Sequence, residues 1–319
     1  MSWPRSILSI ADFSPADVTH LLDLARTVKA SPGAYQQHMR NRYLALLFFE
    51  PSTRTYTSFR NAMTRLGGGV SMEFREPKGT SLEKRESVAS TLAMAKEYGS
   101  DGIVIRHPRD GAAAYAAEVT DLPVINGGDG YNEHPTQNLL DLFTIHERFG
   151  RLDHLIFLFF NDLKFGRATR ILAHLSLYPG NRFFFLSHPA VGLPEQFKSL
   201  LDARSCTWEE SFDPADFPRF LAASHVAYGS RTQEERFPQT AEGRETLKHV
   251  RGSVVLRASL LPAKKDLVVM HPLPMDKDFP CIARDVDSLP VAYWNHQAGN
   301  GIPVRQAMLL LTLGGAHGQ

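Results

Sequence analysis

At 319 residues, 43% of them hydrophobic and 22% charged, the chain is long enough for about two domains with real cores and too apolar to be disordered or fibrous. A formal charge of +1 gives no overall field to recruit nucleic acid or an anionic membrane, so any cationic site must be local. No apolar run approaches the ~18 to 20 residues of a membrane span, and Asp12 comes too early for a signal-peptide core, which makes the cytoplasm the expected location. Cys206 and Cys281 stand far apart without C-x-x-C or Cys/His spacing, so neither a disulfide framework nor a structural zinc is expected.

In chain order, Ser14-Pro15-Ala16-Asp17 predicts a helix start, with a hydroxyl N-cap, proline at the first position and an acid in the first turn. Val18, Leu21, Leu22, Ala25 and Val28 give that helix one apolar face. Residues 44–49 read as a buried strand and 55–66 as a helix stopped by Gly67, Gly68 and Gly69. Between them lies Glu50-Pro51-Ser52-Thr53-Arg54-Thr55. Such a turn gathers N–H groups at the positive end of a helix beside three hydroxyls and a guanidinium, which is what a phosphate dianion needs. Taken alone, the same S-T-R-T is equally an ordinary N-cap next to a surface arginine.

A short strand is expected at 70–74. The polar loop 75–87, which holds Ser81 and Lys84 and reads as a lid, then runs into a helix ending near Gly99. Strand 103–105 meets Arg106-His107-Pro108 at once, and 111–119 reads as an alanine-rich helix. Strand 123–126 turns through Gly127-Gly128-Asp129-Gly130 toward His134-Pro135-Thr136-Gln137 and a helix reaching about Gly150.

The alternation then begins again. Strand 155–160 leads through Asn161-Asp162-Leu163-Lys164-Phe165-Gly166-Arg167 into a helix carrying Ala168, Ile171, Leu172 and Leu175. A strand at 182–186 precedes weaker helical segments to about Ala223. Strand 226–228 ends at Gly229-Ser230-Arg231-Thr232-Gln233, and strand 267–270 at His271-Pro272-Leu273-Pro274. Gly299-Asn300-Gly301 is read as the turn opening a last helix at 302–313, because Val304 stands where a dinucleotide fingerprint needs its third glycine. This order predicts an α/β protein of two doubly wound parallel-sheet domains, 1–150 and 151–295, with the last helix packing back on the first. The polar clusters at Ser52, Arg106, His134, Asp162, Arg231 and His271 all follow strands, the edge at which open α/β sheets bind ligands.

Arg54, Arg106, Arg167, Arg231 and Lys84 would put four or five cations near one interdomain cleft, an arrangement suited to substrates bearing phosphate and carboxylate groups. A neutral His134 could donate to a carbonyl oxygen, and Gln137 could read an amide or merely cap its helix. The carbonyls of Pro272 and Leu273 could accept from an amide NH2. No P-loop, H-E-x-x-H or G-x-S-x-G pattern competes with this reading.

Taken together, Ser52-Thr53-Arg54-Thr55, Arg106-His107-Pro108, His134-Pro135-Thr136-Gln137, His271-Pro272-Leu273-Pro274 and Gln297-Ala298-Gly299-Asn300-Gly301 resemble the aspartate/ornithine carbamoyltransferases over about residues 44–313. The stretches 162–167 and 231–233 are similar to the aspartate branch; the ornithine branch has cysteine in place of His271. The resemblance implies carbamoyl phosphate held by Ser52, Thr53, Arg54, Thr55, Arg106, His134 and Gln137, with its amino group on the Pro272 and Leu273 carbonyls. It implies aspartate held by Arg167, Arg231 and Gln233, closure braced by Glu50 and Arg236, and a homotrimer in which Ser81 and Lys84 enter the neighbouring subunit's site. Neither metal nor cofactor is implied. A regulatory or dihydroorotase-like partner is within the family's range.

Three positions depart from the pattern: Tyr56 and Met275 replace arginines, and Asn161 replaces glycine. The stretch from Ser81 to Lys84 is also one residue short. These changes spare the carbamoyl phosphate residues but leave two alternatives to an aspartate acceptor, a transferase acting on another amino acid or small amine and a non-catalytic paralogue that binds a partner.

Overall fold

Ser14 caps the first helix, α1 (Pro15–Ala30), as its sequence dictates: its hydroxyl accepts from the Asp17 N–H at 3.2 Å, and the Asp17 carboxylate accepts from the Ser14 N–H at 3.0 Å. The computed structural model describes residues 3–314. Contacts divide the chain into two units, one reaching to Phe143 and resuming at Gly299, the other Thr144–Ala298.

In the first unit, β1 (Tyr43–Phe48), α2 (Thr53–Arg65), β2 (Gly69–Phe74), α3 (Val88–Glu97), β3 (Gly102–His107), α4 (Ala112–Val119) and β4 (Val124–Asp129) alternate before α5 (Pro135–Phe149). The strands form one parallel sheet in the order β2-β1-β3-β4. Ala45, Leu47, Ile103, Ile105 and Val124 pack on Leu92 and Ala95 of α3 and Ala113 and Ala116 of α4. Because side chains alternate along a strand, Phe48 points to the opposite face, where it meets Tyr56 of α2 edge-on with ring centroids 5.5 Å apart. Both faces of the sheet are thus covered, which is why its strands read as continuous apolar runs.

The second unit contains β5 (Ile156–Asn161), α6 (Leu172–Leu175), β6 (Arg182–Leu186), α7 (Glu195–Ala203), β7 (Thr207–Ser211), α8 (Phe217–Ala223), β8 (Val226–Ser230), α9 (Ala241–Val250) and β9 (Val268–Met270). These strands are also all parallel, in the order β7-β6-β5-β8-β9. Alternate residues send Phe157, Phe159, Phe183, Phe185 and Tyr228 to one face, stacked at centroid distances of 5.6 to 5.9 Å along the β-ladder. Leu158, Phe160, Leu186 and Ala227 face the other way, against Phe217, Phe220 and Leu221 of α8. A final helix, α10 (Trp294–Leu313), carries the chain back into the first unit.

Several elements differ from expectation. Helix α2 begins at Thr53, so Thr53 and Arg54 belong to its first turn rather than to a loop before it. Arg106 and His107 are the last residues of β3, and Gly127, Gly128 and Asp129 continue β4. At Gly127 a β-carbon would stand 3.2 Å from the Ile105 carbonyl oxygen, so the missing side chain admits a close strand rather than a turn. Helix α10 starts at Trp294, and Gln297 to Gly301 lie inside it. Strand β7 and helix α9 have no counterpart in the sequence reading. The helix expected after Arg167 is mostly a 3-10 segment, Arg167–Ile171, ahead of the single turn of α6.

The strand orders locate each unit's ligand edge. In the first sheet the winding direction reverses between β1 and β3, whose carboxyl ends carry Ser52–Thr55 and Arg106. In the second it reverses between β5 and β8, which carry 161–167 and 231–233. Reversal of this kind opens the crevice in which open α/β sheets bind.

Candidate active site

In the first unit, Ser52 is the N-cap residue of α2 yet makes no side-chain cap hydrogen bond. The first-turn N–H groups of α2 therefore remain available to an anion at the positive end of the helix. Arg54 stands exposed in that turn, and partial burial of its guanidinium lowers its pKa from the ordinary value while leaving it a cation at neutral pH. Arg106 is held from two sides: Nη2 pairs with the Glu50 carboxylate at 2.9 Å and Nη1 donates to the Gly127 carbonyl at 3.1 Å.

His134 precedes α5 and is buried, and its carbonyl accepts from the N–H of Gln137 at 2.9 Å and of Asn138 at 3.2 Å. Its Nε2 lies 3.4 Å from the Thr55 hydroxyl and its Nδ1 3.3 Å from the Thr136 hydroxyl. Gln137 donates through Nε2 to Asp141 at 2.9 Å. That bond commits the amide's NH2 group to Asp141 and leaves Oε1 as the atom that can accept from a donor. Thr55, Arg54, Arg106, His134 and Gln137 are therefore gathered along one sheet edge. Ser81 and Lys84 lie on a 3-10 turn, where the Ser81 hydroxyl donates to Glu86 and Lys84 is exposed. Among the described residues neither is hydrogen-bonded to Ser52–Thr55.

In the second unit, the two loops at the reversal point are tied together by side chains. Asn161 has a φ of +78°, the left-handed region that asparagine tolerates better than most residues. Its Nδ2 donates to the Ser230 carbonyl at 2.6 Å and to the Thr232 hydroxyl at 3.1 Å. The buried Asp162 accepts from the N–H groups of Phe165 and Gln233, both at 2.9 Å. Burial pushes its carboxyl above the usual range, and these backbone donors oppose the shift. Gln233 donates in turn to the Phe165 carbonyl. Gly166 has no room for a side chain, since a β-carbon there would sit 2.4 Å from the Asp162 carbonyl oxygen.

Arg231 forms a two-pronged pair with Glu235 at 2.6 and 3.1 Å, and this hydrogen bonding raises its pKa. Arg167 opens the 3-10 segment after Gly166, and Arg236 closes another at Glu234–Arg236. After β9, the His271 N–H donates to Gln297 Oε1 and the Leu273 N–H to His271 Nδ1, both at 2.9 Å, while Gln297 Nε2 reaches the Tyr228 hydroxyl at 3.2 Å. These bonds hold the Pro272-Leu273 backbone in place. Met275, standing where the family pattern has arginine, packs against the apolar cluster of this unit.

Ser58, Asp141 and Arg305, which are not among the expected site residues, are also buried in the first unit, as is Thr136, expected only as part of the His134-Pro135-Thr136-Gln137 pattern. One signal was present. Arg305 is a lone charge in an otherwise apolar stretch of α10, where a buried cation needs partners.

The family described as "Aspartate/ornithine carbamoyltransferase, carbamoyl-P binding domain" matches residues 5–147. The catalytic subunit of aspartate carbamoyltransferase from Thermococcus onnurineus is 41% identical over 323 residues, covering 100% of both chains. That of Chromobacterium violaceum is 42% identical over 312 residues, 97% of this chain and 98% of the relative. Among solved structures, aspartate transcarbamoylase of Trypanosoma cruzi in complex with aspartate and phosphate superposes with a TM-score of 0.87 at 31% identity, covering 97% of this chain and 96% of that one. The catalytic subunit of the M. Jannaschii enzyme does so with 0.86 at 34% identity, covering 99% and 100%. This chain belongs to the aspartate/ornithine carbamoyltransferase family. Within that family, these full-length relatives carry the name of the aspartate enzyme.

Proposed function

We propose that the chain is a carbamoyltransferase that moves the carbamoyl group of carbamoyl phosphate to the amino group of L-aspartate, releasing N-carbamoyl-L-aspartate and phosphate, a step of pyrimidine biosynthesis. What supports this reading is that Ser52–Thr55 and Arg106, residues suited to an anion, stand at one sheet's reversal point with His134 beside Thr55, and that Arg167, Arg231 and Gln233 stand at the other's. Further support comes from relatives of full length named for this activity and from a neighbour solved with carbamoyl phosphate and aspartate together.

The first unit then binds carbamoyl phosphate and the second the acceptor. The α2 N–H groups, Ser52, Thr53 and Arg54 take the phosphate, while Thr55, Arg106 and His134 surround the carbonyl oxygen. Gln137 Oε1 and the Pro272 and Leu273 carbonyls accept from the NH2 group. The uncharged amine attacks the carbamoyl carbon, and the oxyanion that forms is met by donors already in place. The C–O bond to phosphate then breaks, and the departing phosphate carries off the amine proton. Orientation and fixed charge supply the rate. Three copies complete the sites if Ser81 and Lys84 serve a neighbouring subunit, a role consistent with their exposed turn.

Steady-state assays with aspartate against a panel of amino acids and small amines test the reading. Turnover with aspartate is expected, and turnover of another amine with none on aspartate would overturn it. Calorimetry with a phosphonate joined to an aspartyl group should show tight binding, and no binding would leave a non-catalytic relative as the better account.

A further inference from the structure

Arg305 on α10 is almost wholly buried, and its guanidinium lies over the Phe59 ring, 4.9 Å from the centroid. Burial pulls its pKa down to about 9, which still leaves a cation at neutral pH. A guanidinium can only donate. Nη1 donates to the Ser58 hydroxyl at 2.5 Å and Nη2 to the Thr136 hydroxyl at 3.5 Å. Each hydroxyl, having accepted from Arg305, keeps its single proton for a further partner. Ser58 gives it to the Arg54 carbonyl, 2.7 Å away, or to that of Thr55 at 3.0 Å. Thr136 faces His134 Nδ1 at 3.3 Å. The Asp141 carboxylate that holds Gln137 is also close enough to Arg305 to favour its charged form.

From this wiring we infer that Arg305 is a positioning residue: through Thr136 it makes His134 Nδ1 an acceptor and so places the imidazole proton on Nε2, the nitrogen 3.4 Å from the Thr55 hydroxyl and, in the proposed reaction, the one that meets the carbonyl oxygen. The inference rests on the proposed carbamoyl transfer only for what that proton does; the tautomer itself can be read without turnover. A neutral imidazole has one N–H, and its place is set by the bond the other nitrogen makes. Were Nδ1 protonated instead, Nε2 would present a lone pair to the carbonyl oxygen and repel the developing oxyanion. Through Ser58, the same buried cation pins the backbone of Arg54 and Thr55.

The test is 15N–1H correlation spectroscopy of the full-length, histidine-labelled protein as wild type, Thr136→Val and Arg305→Lys. In wild type, His134 is expected with a protonated Nε2 and a bare Nδ1. Thr136→Val keeps the shape but removes the hydroxyl, and should give a mixture of tautomers and a kcat lowered at least ~10-fold, with KM for carbamoyl phosphate much less affected. Arg305→Lys can reach one hydroxyl but not hold both, and should shift the tautomer in the same direction; should that variant fail to fold, Thr136→Val still decides. A wild-type His134 protonated on Nδ1, or a Thr136→Val protein with wild-type tautomer and kcat, would overturn the inference. The Nε2–H form in a wild type that carbamoylates no acceptor would uphold the relay while overturning the assigned activity.

Discussion

The reversal points of the two sheets are built differently. After β1, Ser52 leaves the α2 N-terminus without a side-chain cap, and the residues aimed at the edge are steadied from behind by Ser58, Thr136 and Arg305. After β5, the loop is stitched laterally: Asn161 to Ser230 and Thr232, Asp162 to Gln233, Arg231 to Glu235. The first is a backbone cradle with buried props, its helix N-terminus left uncapped by any side chain. The second is a web of side-chain bonds whose geometry depends on each strand of the web. Mutations should therefore separate activity from stability at the first edge and couple them at the second.

The largest effect belongs to the first edge. Arg54→Ala should lower turnover at least ~100-fold, since one preorganised charge on a transition state is commonly worth ~3 kcal/mol. Its thermal midpoint should hardly move, because the side chain is exposed. Near-normal turnover would break the contrast at its strongest point.

Next comes an acid limb located in the second unit. His174 is buried against Tyr178 with Arg204 nearby, and burial lowers its pKa from 6.5 to about 4. The unfolded chain binds that proton more readily, so this contribution is fully present above about pH 6.5 and is lost as pH falls toward about 4. The loss could reach ~3 kcal/mol. Urea unfolding at pH 7, 5.5 and 4.5 should give declining stability, with a shallower decline in His174→Gln; parallel curves would remove His174 from the account.

Smaller again, Asn161→Ala should cost ~1 to 2 kcal/mol, from the left-handed backbone and the lost bonds to Ser230 and Thr232. KM for the acceptor should rise in step. Asn161→Gly relieves the backbone and should cost less, and equal losses in the two variants would show that the cross-links, not the φ angle, matter there. The smallest change is Tyr56→Phe, which removes a hydroxyl donating to Glu73 and should cost ~1 kcal/mol or less by thermal unfolding, with turnover unchanged.

Much of this was legible because parallel strands covered on both faces write themselves as apolar runs, and because polar residues after them mark the ligand edge. Strand β7 was not legible. Thr207-Trp208-Glu209-Glu210-Ser211 is the end strand of its sheet, paired among the described residues with β6 alone and half exposed, so it lacks the apolar signal of its neighbours. The start of α10 was hidden by Gly299 and Gly301, which look like a turn; at Gly301 a β-carbon would stand 2.5 Å from Arg305 Nη1, so there the glycine makes room for the buried guanidinium. Ser58, and the contact that Thr136 makes within its motif, were not legible because hydroxyls that partner a buried charge have no spacing rule of their own.

Tyr56 carries a practical consequence. Its hydroxyl meets Glu73, its ring lies under the Arg75 guanidinium at 4.4 Å from the centroid, and Arg60 reaches the same Glu73 at 3.3 Å. Grafting the arginine typical of relatives onto this position would set a third positive group beside one carboxylate, one helical turn from Arg60. Segment swaps with relatives should therefore exchange residues 56, 60, 73 and 75 as a block, since any one of them arriving alone enters a neighbourhood tuned to the others.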